Sequence, residues 1–227
     1  MNIRTVAVVD DNRDAGAVLV HTLQDAGLEG EWISPEAPMV SFVADLISKS
    51  DAVICDHRLG YAAQAGYTGA MLANALVEGG HPTILVTQYL DQEADVAIRK
   101  FRANLPVVLR RQDASDPDEL REALAACLRE IRGGPTGSRR SQKTAITIDA
   151  VFDHGSEAVV DAVVHGWNAQ DAVRFPLSLV QPDLRSSVKP GAIFYVSTNL
   201  SAQEKVDLYF DGFEVAREGD PELLWKR

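Results

Sequence analysis

Three carboxylates, one hydroxyl and a pair of guanidinium groups each stand directly behind a short apolar run. Asp10 and Asp11 follow Val6–Val9, Asp56 follows Ala52–Cys55, Thr87 follows Thr83–Val86, and Arg110 and Arg111 follow Val107–Leu109. If these runs are strands of one parallel sheet, their polar successors collect at its carboxyl edge, where open sheets of this kind bind ligands. Three carboxylates held close raise one another's proton affinity unless a cation neutralises them. An all-oxygen, partly open site suits Mg2+, which keeps several waters and takes one or two carboxylates together with a phosphate. With such an ion screening the repulsion between anions, a carboxylate can attack a phosphoryl group. The hydroxyl and a guanidinium are then suited to hold the transferred oxygens.

The elements that must position these groups alternate along the first half of the chain. From Asn2 to Ile131, five short apolar runs are each followed by a stretch of helical period. Val6–Val9 reads as a strand, and Asp14–Ala26 as a helix with Val18, Leu19, Leu23 and Ala26 on one face and Gly27 closing it. A strand at Glu29–Ile33 and a helix at Met39–Lys49 follow, then a strand at Ala52–Cys55 and a helix at Gly69–Leu76. Thr83–Val86, Gln92–Phe101 and Val107–Leu109 read as strand, helix and strand. Ser115 or Asp116 caps the last helix, Pro117 sits in its first turn, and Leu120, Leu124, Cys127, Leu128 and Ile131 form its stripe. Strands apolar on both faces predict a parallel sheet covered on both sides.

A change of period marks a second domain. Gly133–Ser141 is a flexible linker by composition. Beyond it Ile146, Ile148, Ala150 and Phe152 alternate with polar or small residues, and Asp153-His154-Gly155-Ser156 turns the chain. Further strand-like runs are Ala158–Val164, Val173–Val180, Ala192–Ser197 and Val206–Val215. The expected division is an α/β domain over 1–132, a linker over 133–143, and a small all-β barrel or sandwich over 144–227, able to fold on its own.

The runs Val8-Val9-Asp10-Asp11-Asn12, Val53-Ile54-Cys55-Asp56 and Ile84-Leu85-Val86-Thr87 resemble, in this order, the signature strands of the response-regulator receiver family. The resemblance spans about residues 2–132. It implies a flavodoxin-like, doubly wound sheet of five parallel strands, with Asp56 as phospho-acceptor. It also implies Mg2+ held by Asp11, by Asp10 directly or through water, by Asp56, and by the backbone carbonyl of Arg58. Thr87 takes the part of the switch hydroxyl. Where the family carries a lysine after the fifth strand, this chain has Arg110-Arg111-Gln112. Strand length favours Arg110 as the phosphate contact, with Arg111 the alternative. The loop Gly60–Tyr67 is expanded, Gly69 matches the glycine that opens the third helix, and Val107 and Val108 stand where many members carry a switch aromatic.

A chain of this kind is a phospho-accepting signalling protein and not an enzyme beyond self-phosphotransfer and autodephosphorylation. Its donor is a histidine kinase or phosphotransfer protein, and its further partners are a protein effector or a second copy. The rival reading is a pseudo-receiver, a phosphorylation-independent scaffold whose acids bind metal or nothing. The second half shows no helix-turn-helix, so a transcription factor is not expected.

Composition sets the bounds. The 227 residues carry a net charge of −11, which argues against a nucleic-acid partner. Residues 1–138 carry 12 Lys/Arg and 20 Asp/Glu, and residues 139–227 carry 10 and 13, so the acidity sits with the proposed chemistry. No window is apolar enough to span a membrane, and Arg4, Asp10 and Asp11 break the N-terminus too early for a secretory signal, so a cytoplasmic location is expected. Cys55 and Cys127 read as buried thiols. His57 and Arg58 could steer donors, although loop exposure alone explains them. Asp153, His154 and His165 lack partners at metal-ligand spacing. Trp167, Phe175, Tyr195 and Phe210 read as packing residues of the β domain, and Arg139, Arg140 and Lys143 as a solvated linker.

Overall fold

The computed structural model describes residues 3–59, 66–154 and 157–217. The chain forms two compact units, and the division does not fall at one point. The first unit is Met1–Leu90 with Asn104–Pro135; the second is Asp91–Ala103 with Thr136–Arg227.

In the first unit, β1 (Thr5–Val9), β2 (Glu29–Ile33), β3 (Ala52–Asp56), β4 (Thr83–Thr87) and β5 (Val107–Arg110) form one parallel sheet. Its order is β2-β1-β3-β4-β5, the doubly wound, flavodoxin-like arrangement whose direction reverses between β1 and β3. Helices α1 (Arg13–Asp25), α2 (Met39–Lys49), α3 (Gly69–Glu78) and α5 (Pro117–Gly133) follow β1, β2, β3 and β5. Val6–Val9, Ala52–Cys55 and Thr83–Thr87 are at most 2 % exposed, which is why these strands read as continuous apolar runs rather than alternating ones. Asn12 caps α1 by accepting from the backbone N–H groups of Asp14 and Ala15, and the helix buries Leu19 and Leu23. Each such leucine contributes about 1.5–3 kcal/mol by leaving water. Asp116 caps α5, Pro117 occupies its first turn, and Leu120, Ala123, Leu124 and Cys127 form the buried face. Both cysteines are buried free thiols.

The second unit carries an antiparallel sheet of β6 (Gln142–His154), β7 (Glu157–Val164), β8 (Ala172–Pro176), β9 (Ile193–Thr198) and β10 (Asp211–Val215), in the order β10-β9-β6-β7-β8. The period of two places Ile146, Ile148, Val160, Ala162, Phe175 and Phe194 in one core. The β6–β7 register shifts between Ile148 and Ala150, and beyond that bulge Val151 and Phe152 are exposed. Phe175 packs against Phe210 and Phe213 with ring centroids 5.1 and 5.5 Å apart, and Trp167 packs against the same core.

This core is completed by the crossover between β4 and β5. A short α4 (Leu90–Glu93) runs on into a π-helical turn at Ala94–Ile98, earlier than the helix expected over Gln92–Phe101. From Asp91 to Ala103 the crossover belongs to the second unit. Arg99, 1 % exposed, donates to the carbonyls of Leu208 and Lys205, and its guanidinium lies 5.9 Å from the Phe210 ring centroid. Arg102 pairs with Asp207 at 3.0 Å. Arg139, expected in a solvated linker, is 8 % exposed and donates to the carbonyls of Arg102 and Ala103 at 3.0 and 2.9 Å. Tyr209 closes the clamp by donating its hydroxyl to the Arg139 carbonyl.

The expected turn at Gly155-Ser156, most of the expanded loop Gly60–Tyr67 and residues 218–227 lie outside the described residues. Among the described residues no helix is long and apolar enough to cross a membrane.

Candidate functional site

The carboxyl edge of the first sheet gathers the residues singled out in the sequence. Asp10 is the first residue beyond β1, Asp56 ends β3, and Thr87 ends β4. Asp10, Asp11 and Asp56 each offer a carboxylate oxygen within 4.8 Å of the others. Local chemistry fixes them. Asp10 Oδ1 accepts from the N–H of Asn12 at 2.8 Å, which turns the chain into the α1 cap. Asp56 Oδ2 accepts from the N–H of Arg58, also at 2.8 Å. Gly69 opens α3 against the backbone here: a Cβ on it would lie 1.8 Å from the Asp56 carbonyl oxygen, so only glycine permits this approach.

The cation at the site is Arg111, one residue beyond the position that strand length favours. Arg110 is the last residue of β5, paired across the sheet with Thr87. Arg111 stands just past the edge, as Asp10 does on β1, and donates its N–H to the Thr87 carbonyl. Its Nη2 donates to Asp10 Oδ2 at 2.7 Å and to Asp56 Oδ1 at 2.5 Å. Burial pushes the Asp56 carboxyl above the ordinary aspartate range; Arg111 pulls it down and Asp10 adds to the rise. Burial also works against the charge of Arg111, but the bonds to Asp10 and Asp56 outweigh it and push its pKa up.

Thr87, 1 % exposed, accepts the N–H of Tyr89 on its hydroxyl at 3.1 Å. The Arg58 guanidinium lies over the Tyr89 ring, 4.0 Å from its centroid. The loops after β3 and β4 are thereby joined beside the carboxylates. His57 is buried, contrary to a loop-exposed reading, whereas Arg58 is exposed.

Two supporting residues escaped the sequence reading. Trp32 on β2 donates its indole N–H to the Asp10 carbonyl at 2.9 Å, and Arg13 stands over its ring. Gly16 makes room for that indole, since a Cβ there would lie 2.2 Å from Trp32 Cδ1. A glycine inside the α1 stripe was the available signal. In the second unit, Asp153 lies on β6 and His165 bonds Thr147 at 2.8 Å, so neither joins a carboxylate or metal-type cluster among the described residues.

The donor set is all oxygen, the inner carboxylates are largely removed from water, and Asp11 is half-buried at the rim. These features fit Mg2+. The residues able to hold it are Asp10, Asp11 and Asp56, with the Arg58 carbonyl adjacent in sequence.

No family model matches the sequence, and no curated protein matches it. The structure is similar to those of solved receiver domains. A signal receiver domain of a modulated diguanylate cyclase from Desulfovibrio desulfuricans is 21% identical; the match covers 58% of this chain and 98% of that one, with a TM-score of 0.45. A response regulator receiver domain protein from Clostridium thermocellum is 15% identical over 57% of this chain and 98% of that one, with a TM-score of 0.45. A CheY-like receiver domain protein from Methanospirillum hungatei is 19% identical over 59% and 100%, with a TM-score of 0.42.

Proposed function

We propose that this chain is a two-component response regulator that accepts a phosphoryl group on Asp56 in the presence of Mg2+ and signals through its second, β-rich unit. The observation that carries the reading is the convergence of Asp10, Asp11, Asp56, Thr87 and Arg111 on the carboxyl edge of a β2-β1-β3-β4-β5 sheet. When bound, Mg2+ would neutralise the carboxylates and draw charge from the phosphoryl oxygens.

The chain's own residues supply the rest. Arg111 releases Asp56 Oδ1, which attacks the phosphorus of a phosphohistidine or of a small acyl phosphate. A new P–O bond forms on Asp56 while the P–N or P–O bond of the donor breaks. The bonding pair leaves with the donor imidazole, which takes up a proton, or with the donor carboxylate. Arg111, already oriented by its bond to Asp10, can then pair with a phosphoryl oxygen in its planar fork. Thr87 can turn its hydroxyl from the Tyr89 N–H to the same group. The donor is a histidine kinase or phosphotransfer protein; the activity ends at phosphotransfer and autodephosphorylation, and the location is the cytoplasm.

One observation favours the pseudo-receiver instead: Arg111 already pairs with both inner carboxylates, so the site has its own counter-charge. A single experiment decides. Incubated with Mg2+ and acetyl phosphate, the intact protein gains one phosphoryl mass and Asp56→Asn gains none. Absence of any gain establishes the scaffold reading, and a gain that survives Asp56→Asn moves the acceptor elsewhere.

A further inference from the structure

Among the described residues, the antiparallel sheet of the second unit has backbone with a strand on one side only at β8, at β10 and along the far half of β6. The last arises because β9 pairs with Gln142–Thr147 and goes no further. Ile148 still gives its N–H to the Ala192 carbonyl and accepts from the Gly191 N–H. From Ala150 to His154, β7 is the one strand against β6 among the described residues.

Open edges recruit other strands, and native sheets carry devices against this. β8 packs against the turn Ala94–Ile98 and ends in Pro176, which has no N–H to offer. β10 is broken by a register shift between Asp211 and Glu214, and both acids are exposed. Among the described residues, Ala150–His154 has neither cover nor proline, and its pairing with β7 runs without a shift. It also sets Val151 and Phe152, 36 % and 44 % exposed, side by side in water. Val151 lies opposite Val160 on the core face. Phe152 lies on the outer face, where the Arg174 guanidinium, paired with Asp161, stands 5.4 Å from its ring centroid.

The ladder fixes how a strand adds here. Ile148 turns its backbone bonds away from β7, and after the bulge Ala150 opposes Asp161 as the next pair. Alternation then points the N–H and carbonyl of Val151 and of Asp153 to the open side. We propose that this edge pairs with the same edge of a second copy, antiparallel, about a two-fold axis through Phe152. Opposed residues of an antiparallel pair share a face, and a two-fold axis across the sheet keeps every side chain on its own face. The axis therefore passes through a residue and not between two. Charge chooses the residue. An axis at Val151 sets Asp149 against Asp153 of the second copy, and one at Asp153 sets that acid against itself; like charges directly opposed are unfavourable. An axis at Phe152 opposes no like charges. Val151 then exchanges both backbone bonds with Asp153 of the second copy, and Phe152 meets its counterpart in the close, non-bonded pair that covers its exposed ring. The edge is its own complement, which is why the occupant is a second copy. A strand pair this short buries less than the roughly 1,200 Å2 of a stable complex, so the dimer forms at high protein concentration.

Sedimentation equilibrium of the full chain, without Mg2+ or phosphodonor, tests this over roughly 5 to 500 µM, where small interfaces associate. Wild type moves from the monomer mass toward twice that value, and amide exchange at Val151 and Asp153 slows as concentration rises. Phe152→Lys and Phe152→Glu each oppose like charges and stay monomeric; mixed in equal amounts they associate roughly tenfold more tightly than either alone. Phe152 is exposed, so both variants keep the fold, which unchanged amide protection in β7 verifies. A lysine variant that dimerises as wild type does, or a mixture that recovers nothing, overturns the pairing. So does a dimer whose exchange at Val151 and Asp153 ignores concentration, since its contact lies elsewhere. A wild type that stays monomeric also overturns it: slow exchange at those two amides then means that the chain covers its own edge, and fast exchange that the edge meets water.

Discussion

The first unit gathers its chemistry from residues that stand at or just beyond the carboxyl ends of its strands, and it needs nothing from distant sequence except the sheet. The second unit is assembled the other way. Its strands pair as neighbours except where β9 returns to β6, and its polar interior depends on three arginines, two of which come from a crossover about forty residues upstream of β6. The contrast separates two uses of buried charge. In the first unit the guanidinium of Arg111 faces carboxylates it can exchange for another anion. In the second, Arg99 and Arg139 face backbone carbonyls, which have no other state, so those contacts hold structure together.

The largest expected effect tests that dependence. Residues 136–227 expressed alone should lack the cooperative unfolding transition of the second unit, because Arg99 and Arg102 are missing from the interior. A full-length variant with residues 91–103 replaced by thirteen Gly/Ser residues should keep the transition of the parallel sheet and lose only the other. A folded 136–227 fragment, seen by circular dichroism and urea titration, would show that the crossover is an accessory.

Next in size is Arg99→Ala, which leaves the carbonyls of Leu208 and Lys205 without their buried donor and opens space beside Phe210. A loss of about 3 kcal/mol from the second unit is expected, read from urea titration followed by amide exchange in peptides of β6 to β9. Loss from the first unit alone would invert the assignment.

Gly69→Ala applies the matching insult to the first unit. The added Cβ meets the Asp56 carbonyl, so the backbone of α3 or β3 must shift at a cost of about 1–3 kcal/mol. Labelling by acetyl phosphate should fall with it, while the second unit's transition stays where it was. Unchanged labelling together with unchanged stability would show that the approach of α3 relaxes freely.

The smallest effect is a difference in acid response. Burial holds the His81 imidazole of the first unit below its ordinary pKa of 6.5, with Asp51 opposing. The unfolded chain therefore binds the extra proton first, and the first unit loses stability as pH falls below 6.5 until the lowered folded pKa is passed. For Glu157 of the second unit burial is outweighed by the bonds from Lys100 and Ser178, and the carboxyl is lowered from 4.5. Its contribution is complete above 4.5 and is lost as pH falls through the lowered folded value. Between pH 7 and pH 5 the urea midpoint should therefore drop for the first unit and hold for the second, and His81→Gln should remove the drop.

The same contrast explains what the sequence disclosed. Asp10, Asp56 and Thr87 were legible because each follows an apolar run buried on both faces, which marks a strand and its end in one stretch. Arg111 was not separable from Arg110, since the two are adjacent and only the pairing of Arg110 with Thr87 settles which stands beyond the edge. The stretch Gln92–Phe101 reads from the sequence as one of the helices covering the parallel sheet. A helical period shows that a face is buried, but not against which sheet. Arg99, Arg102 and Arg139 were hidden for a related reason: arginine reads as surface by type, and only carbonyl or carboxylate partners up to 109 residues away make it interior. Trp32 was signalled only indirectly, by Gly16 inside the α1 stripe, because its own role lies in a single bond to a backbone carbonyl.

The interleaving of the second unit also orders events during synthesis. Arg99 and Arg102 leave the ribosome with the first unit's crossover, whereas Leu208 and Phe210 follow more than a hundred residues later. At usual elongation rates that gap is roughly 5–20 s. Over that interval the nascent first unit can close its sheet while presenting an arginine-bearing crossover whose partners in the second unit have yet to be made. Chaperone engagement, or a pause in translation near the end of α5, would act on that segment.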